Sequence, residues 1–500
     1  MASSRIRRCC TLLLVTALSG VVAAAQAAAD EVRAASARPN IVLILTDDED
    51  VASHAYMPKT RALLEEQGTT FDNFFVTNSF CCPSRVTILR GQYPHNTQIQ
   101  GIQPPTGGFA KFRNLGHQSS TIATWLDAAG YRTAYLGKYL NQYVPEQDGV
   151  PPGWDEWHVG SDNNSNYNYT LNENGRPVAY GESAEDYLTD VVARKSVDII
   201  AQAAAAGEPL FLLVATYAPH SPSTWAPRHE GLFEDVPLPR PPSFDEPDVS
   251  DKPAIVRELP LMSDAQIAAM EFHYQSRLRS LQGVDDLVES VVRALERHGV
   301  LDDTYIVYTS DNGHHMGEHR MIAGKTTAYE EDIRVPMIVR GPGVAAGERI
   351  DAIGLNNDFA PTFAAIAGIE PPAFVDGRSL LPLFEDPGQP WRRSFLIQRR
   401  ELETHEMTGA ARYDAIRTEG WTYVQYGDGE RELYNVEEDP YQLDSLIGRA
   451  DPWFVELLAM RLAELMNCAG RDCREIEDRP VDAERTASSA GDEPAGSTRQ

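Results

Sequence analysis

Continuous apolar runs alternate along the chain with stretches of helical period. Asn40–Thr46 (NIVLILT) and Pro209–Thr216 (PLFLLVAT) lack the polar alternation of a half-exposed strand, which predicts strands buried on both faces. Tyr131–Leu136, Asp303–Thr309 (DTYIVYT) and Val335–Arg340 (VPMIVR) predict further strands. Between them, Lys59–Gln67, Ser119–Ala129, Ala184–Ala204 and Ser263–His298 read as helices, the last opened by a Ser/Asp cap. This alternation predicts an α/β protein whose central sheet is mostly parallel and flanked by helices. From about Trp391 the period changes. Ser394–Gln398, Tyr413–Arg417, Trp421–Tyr426 and Glu432–Tyr434 predict short strands, followed by a helix at Trp453–Met466. These make a small C-terminal α+β domain with an antiparallel sheet. The acidic, Pro-rich stretch Pro222–Pro260 predicts a long surface loop.

The ends read differently. Arg5, Arg7 and Arg8 precede an apolar run from Thr11 to Ala25, and Ala25-Gln26-Ala27 is a small-x-small cleavage site. This is the pattern of a secretory signal peptide, through either general or twin-arginine export. The run is too short and Ala-rich for a bilayer anchor, and no later segment is apolar enough to span one. The chain is therefore expected outside the cytoplasm, cleaved near Ala27, with no stable membrane anchor. The expected organisation is a leader over 1–27, a large domain over 38–385, the small domain over 391–475 and a disordered tail over 477–500.

Composition narrows the partners. A hydrophobic content of 42% is enough for a sizeable core, and the net charge of −29 argues against nucleic acid and anionic membranes. Six cysteines in 500 residues are too few for a disulfide-stapled miniature, and Cys9 and Cys10 would leave with the leader.

Ligands of open α/β sheets sit beyond the carboxyl ends of the strands. The residues just past each predicted strand are therefore informative. Asp47-Asp48 lies past the first, Gly137-Lys138 past the second, Tyr217-Ala218-Pro219-His220 past the third and Asp311-Asn312 past the fourth. Two adjacent acids often mark only a solvated turn, but a second acid–amide pair beyond another buried strand is oxygen chemistry suited to Ca²⁺ or Mg²⁺. In Cys81-Cys82-Pro83-Ser84-Arg85, Pro83 suits the first turn of a helix. Cys81 then stands at a helix N-terminus, where anions bind, with Arg85 one turn on. A thiol nucleophile and a structural disulfide are both compatible with this placement.

C-x-P-S-R followed by Leu89-x-Gly91 resembles the signature of the type I, formylglycine-dependent sulfatases of the alkaline-phosphatase-like superfamily. The resemblance covers about Pro39 to Cys473. It is nearest to the N-acetylglucosamine-6-sulfatase and extracellular heparan sulfatase branch, through Gly137-Lys138-Tyr139-Leu140-Asn141, Asn166-Tyr167-Asn168-Tyr169-Thr170, Ala218-Pro219-His220-Ser221-Pro222 and Cys468-x₄-Cys473. It implies an alkaline-phosphatase-like fold and a metal site of Asp47, Asp48, Asp311 and Asn312 together with the group at Cys81, binding Ca²⁺ ahead of Mg²⁺. It implies that a formylglycine-generating enzyme oxidises Cys81. The hydrated aldehyde is a geminal diol: one hydroxyl attacks sulfur, and deprotonation of the other expels sulfate. Arg85 and Lys138 steady the diol. His220 and Lys325, the latter in Gly324-Lys325-Thr326-Thr327, bind the sulfate oxygens, and either protonates the leaving oxygen. His315 matches a position near the substrate. One departure stands out. Arylsulfatases carry a His two residues after the Gly-Lys lysine, where this chain has Leu140.

The substrate implied is a sulfated small molecule or glycan, such as a sugar 6-sulfate or an aryl sulfate. Loss of the leader takes the charge to about −32. Such a surface should repel densely sulfated polymers, which favours lightly charged glycans, chain ends or small esters. Two rivals remain: a phosphate mono- or diester hydrolase on the same scaffold, and a non-catalytic binder of sulfated glycans should Cys81 stay a thiol. In a secreted chain, Cys468 and Cys473 are expected to close a local disulfide. Asn163-Asn164-Ser165 and Asn168-Tyr169-Thr170 fit the N-glycosylation pattern.

Overall fold

The computed structural model describes residues 38–162, 165–400 and 412–481. The leader through Ala27, Asn163 and Asn164, and residues 482–500 of the expected tail lie outside the described residues, whereas Glu477, the first residue of that tail, ends a helix and is buried. In chain order the strands are β1 (Asn40–Asp47), β2 (Thr69–Phe71), β3 (Phe74–Phe75), β4 (Arg132–Lys138), β5 (Glu156–Gly160), β6 (Tyr169–Glu173), β7 (Arg176–Tyr180) and β8 (Leu210–Pro219). They continue as β9 (Thr304–Ser310), β10 (Met337–Arg340), β11 (Glu348–Ile350), β12 (Gly354–Leu355), β13 (Ser394–Arg399), β14 (Tyr413–Thr418), β15 (Trp421–Tyr426) and β16 (Arg431–Asn435). Five helices frame the site and its supports: α1 (Cys81–Arg90), α2 (Leu188–Ala206), α3 (Asp264–Arg297), α4 (Pro452–Leu465) and α5 (Arg471–Glu477).

Among the described residues, ten strands form one sheet in the order β11-β2-β10-β9-β1-β8-β4-β5-β6-β7. β1 lies inside it, parallel to both neighbours β8 and β9, and β4 continues in parallel from β8. The carboxyl ends of β1, β4, β8 and β9 therefore fall on one edge. The apolar run of Val335–Arg340 is β10, which pairs antiparallel with β9. Its apolar sequence carries no information about direction.

β1 shows why the sheet forms where it does. Alternate side chains point to opposite faces. Ile41, Leu43 and Leu45 enter one core with Phe211 and Leu213, while Val42 and Ile44 enter a second with Leu212 and Val214. α2 and α3 cover the second face. Val284, Leu287, Val288, Val291 and Leu295 of α3 recur at helical spacing and are fully buried there. A capping box of Ser263 and Gln266 starts that helix.

The expected four-stranded antiparallel sheet is present as β13-β14-β15-β16. Both of its faces join the core of the large sheet: Phe395 and Ile397 on one and Ile416 and Leu433 on the other, with Leu458 and Leu462 of α4, belong to the cluster that holds Ile41 and Leu45. Cys468 and Cys473 form the expected disulfide. Pro222–Pro260 is largely irregular, as expected, yet it is more than a surface loop. Leu238, Val249 and Val256 are buried, and Leu238 packs with Tyr274 and Leu278 of α3. No helix among the described residues is long and apolar enough to cross a membrane.

One buried ion network ties the C-terminal region down. Arg392 grips Asp358 through two bonds of 2.7 and 2.8 Å, and its Nε donates to Glu477 of α5 at 2.7 Å. All three side chains are fully buried. Removing one partner strands a charge, which costs about 3–5 kcal/mol. Asp358→Ala is expected to lower the urea midpoint by that equivalent; an unchanged midpoint would show that the network contributes nothing.

Candidate active site

The strand-end residues meet at one point. Asp47 ends β1 and is fully buried; Asp48 comes next at φ 67°, a left-handed conformation that turns the chain back across the edge. Asp311 and Asn312 lie just past β9, and Lys138 ends β4. α1 begins at Cys81, so its N-terminus faces the carboxylates.

The contacts are close. Cys81 Sγ lies 3.7 Å from Asp47 Oδ1 and 2.8 Å from Lys325 Nζ. Lys138 Nζ donates to Asp47 Oδ2 at 2.5 Å, and Lys325 Nζ pairs with Asp48 Oδ1. Arg85 Nε donates to Asp311 Oδ2 at 2.8 Å, and its Nη1 to the Lys138 carbonyl at 2.7 Å. His220, just beyond β8, brings Nε2 to 3.5 Å from Asp48 Oδ2. It is the most exposed member, with 17% of its side chain accessible. Thus nine of the ten sequence-derived residues converge: Asp47, Asp48, Cys81, Arg85, Lys138, His220, Asp311, Asn312 and Lys325.

His315 is placed differently. Its Nδ1 faces Asp332 at 2.9 Å in a fully buried pair, so the ring engages a structural carboxylate. Its neighbour His314 brings Nδ1 to 3.8 Å from Asp48 Oδ2. Arg277 was not foreseeable. It reaches in from the middle of α3, donating from Nη2 to the Asp48 carbonyl at 2.5 Å and to Asp50 Oδ2 at 3.0 Å.

Electrostatics follow from burial. Three carboxylates face three cations, Arg85, Lys138 and Lys325, and all six side chains are buried. Burial alone would raise the Asp47 and Asp48 carboxyls. Lys138 with His220 and Arg85 nonetheless hold Asp47 below the usual range, and Lys325 with His220 and Lys138 hold Asp48 well below it. Burial and the Asp47 charge push Asp311 up. Burial pushes the Cys81 thiol far up despite both lysines, so this setting disfavours a thiolate.

The donor set fits a metal ion. Asp47, Asp48, Cys81 and His220 place ligand atoms within 4.8 Å of one another. Asn312 Oδ1 is buried without a hydrogen-bond partner, as a metal-facing oxygen would be once its ion is disregarded. Arg85 Nη2, 3.8 Å from Asp47 Oδ2, also lacks a hydrogen-bond partner.

Fold and site together define an ester hydrolase that carries its acids, cations and helix N-terminus at the carboxyl edge of a largely parallel sheet. Residues 39–369 match the sulfatase family model, and 317–467 match that of the N-sulphoglucosamine sulphohydrolase C-terminal region. The chain belongs to the sulfatase family and is a sulfuric ester hydrolase. An arylsulfatase of Chlamydomonas reinhardtii is 36% identical, over 88% of this chain and 76% of its own. The human N-acetylglucosamine-6-sulfatase is 35% identical, over 89% and 87% respectively. Among solved structures, one in complex with its substrate D-glucosamine-2-N,6-O-disulfate superposes with a TM-score of 0.72 at 24% identity, covering 88% of this chain and 99% of that one. The phosphonate monoester hydrolase of Agrobacterium radiobacter shares the fold at a TM-score of 0.66 and 20% identity, over 86% and 95%.

Proposed function

We propose that this chain is a secreted sulfatase that hydrolyses a sugar sulfate ester, foremost the 6-sulfate of N-acetylglucosamine, with formylglycine in place of the Cys81 thiol. One observation carries the reading. Position 81 opens a helix inside a ring of three carboxylates and three cations, with Lys325 at 2.8 Å. The N-acetylglucosamine-6-sulfatases of human and goat, each 35% identical over most of both chains, support the substrate class. The extracellular sulfatase homologues of Caenorhabditis elegans and Drosophila melanogaster, each 38% identical, support export.

Asp47, Asp48, Asp311 and Asn312, with the group at position 81, would hold one divalent cation, Ca²⁺ ahead of Mg²⁺. When bound, that cation supplies Lewis-acid polarisation of a sulfate oxygen, and the hydrated aldehyde supplies the attacking oxygen. The chain's own side chains do the rest. Arg85 and Lys138 orient the hydroxyls at position 81 and favour loss of their protons. Lys325 and His220 hold the sulfate oxygens, and one of them returns a proton to the leaving alcohol. Conversion must precede folding, because Cys81, Cys82 and Arg85 are at most 3% exposed in the folded chain. The formylglycine-generating enzyme is thus a partner of the unfolded segment.

The test is a substrate panel: aryl sulfate against aryl phosphate, and N-acetylglucosamine-6-sulfate against a densely sulfated heparin oligosaccharide. Sulfate over phosphate, and the monosulfated sugar over the oligosaccharide, are expected. A preference for phosphate would sink the sulfatase chemistry proposed for these residues. Chelation followed by dialysis is expected to abolish turnover and lower the melting temperature, with added Ca²⁺ restoring both. At 100 times its dissociation constant the ion stabilises the fold by about 2.7 kcal/mol. Full activity after verified metal removal would contradict the cation site.

A further inference from the structure

Lys325 does not hold its own position. The backbone just after it is unusual: Thr326 adopts φ 88°, which a β-branched residue rarely tolerates. Such a conformation persists only where its surroundings enforce it. Two anchors do so from this side of the sheet. Asp332 accepts from Thr327 N at 2.8 Å and from Thr327 Oγ1 at 2.7 Å, and Ser79 Oγ donates to the Thr327 carbonyl at 2.8 Å. The third anchor comes from the C-terminal sheet. Arg399, the last residue of β13, donates from Nη1 to the Thr326 carbonyl at 3.2 Å and to Thr326 Oγ1.

The same guanidinium has a second attachment. It lies 5.7 Å from the Phe80 ring, which also receives Lys325 Nζ at 5.8 Å. Phe80 is the residue before Cys81 and caps α1. β13 grips the segment entering that helix as well: Gln398 N donates to the Thr77 carbonyl at 3.0 Å, and Asn78 Nδ2 to the Gln398 carbonyl at 2.6 Å. One strand end therefore braces both the Lys325 loop and the entry to α1. Arg399 is 6% exposed, so solvent competes little for these contacts.

We propose that Arg399 is a positioning residue for Lys325, fixing the lysine against position 81 through Thr326 and Phe80. The C-terminal sheet thereby completes the active site of the large sheet. This rests on the sulfate-binding reading of Lys325. A misplacement of about 1 Å at a reacting centre can cost about 100-fold.

The test is a double-mutant cycle in kcat/KM for an aryl sulfate, with inhibition by inorganic sulfate as a second readout. Lys325→Ala is expected to lose about 10²–10³-fold, the scale of losing one charge-stabilising donor. Arg399→Ala is expected to lose about 10–100-fold and to weaken sulfate inhibition. Added to Lys325→Ala, it should cost less than about threefold more, because the lysine it positions is gone. Arg399→Lys keeps charge and bulk should the alanine variant fail to fold. It is expected to recover little, since an ammonium on a flexible stem cannot both reach Thr326 and lay a flat cation against the Phe80 ring. If Lys325→Ala leaves turnover intact, the sulfate-binding reading falls and this proposal with it. If Lys325→Ala is severe but the losses multiply, or if Arg399→Lys is as active as the parent, only the positioning proposal is overturned.

Discussion

Cys81→Ala is expected to lose turnover by about 10⁵-fold while keeping its fold and its metal. Removal of a covalent nucleophile costs on this scale, because the remaining groups can bind and polarise but cannot attack. The fold should survive. Cys81 is small, it stands at the first position of α1, and its thiol faces Lys325 and Asp47. Alanine suits a helix start and leaves those two ions with their other contacts. The comparison is a progress curve on an aryl sulfate beside circular dichroism and metal analysis. Activity within tenfold of the parent would remove Cys81 from the mechanism.

Asp48→Asn is expected to cost about 10³-fold or more, the equivalent of the several kcal/mol a Lewis acid supplies. Asp48 is the hub of the site. Its carboxylate pairs with Lys325, accepts from Asn312 Nδ2 at 2.7 Å and faces His220 and His314. The amide keeps the shape but removes a charge from the cation's ligands and leaves Lys325 buried without its closest anion. Cation content should fall with activity, and excess Ca²⁺ should restore only part of either. Parental kcat at saturating Ca²⁺ would show that Asp48 is not a ligand.

Legibility in the sequence tracks complete burial. β1 and β8 carry nearly unbroken apolar runs because both faces are covered, β4 and β9 carry shorter ones, and the residues at or just past these strand ends are readable as site residues. β5, β6 and β7 carry no such signal. Their sequences EWHVG, YTLNE and RPVAY mix polar and apolar residues, and β7 is largely exposed at the sheet's edge. The site residues named from family motifs converge, because a motif records position beyond a strand end. Arg277 and Arg399 carried no such signal. Each comes from an element distant in sequence, and only the packing of α3 and β13 brings it in. His315, matched to a family position near the substrate, faces Asp332, seventeen residues on, a pairing that only the fold brings about. Leu140, the departure from the arylsulfatase pattern, is buried in the core.

The central claim is that position 81 is no longer a cysteine in the active protein. Mass spectrometry of the peptide spanning Cys81, from protein made in a host that contains the formylglycine-generating enzyme, tests it directly. The expected result is the aldehyde mass, with the converted fraction rising in step with specific activity across preparations. An intact thiol in fully active protein would contradict it.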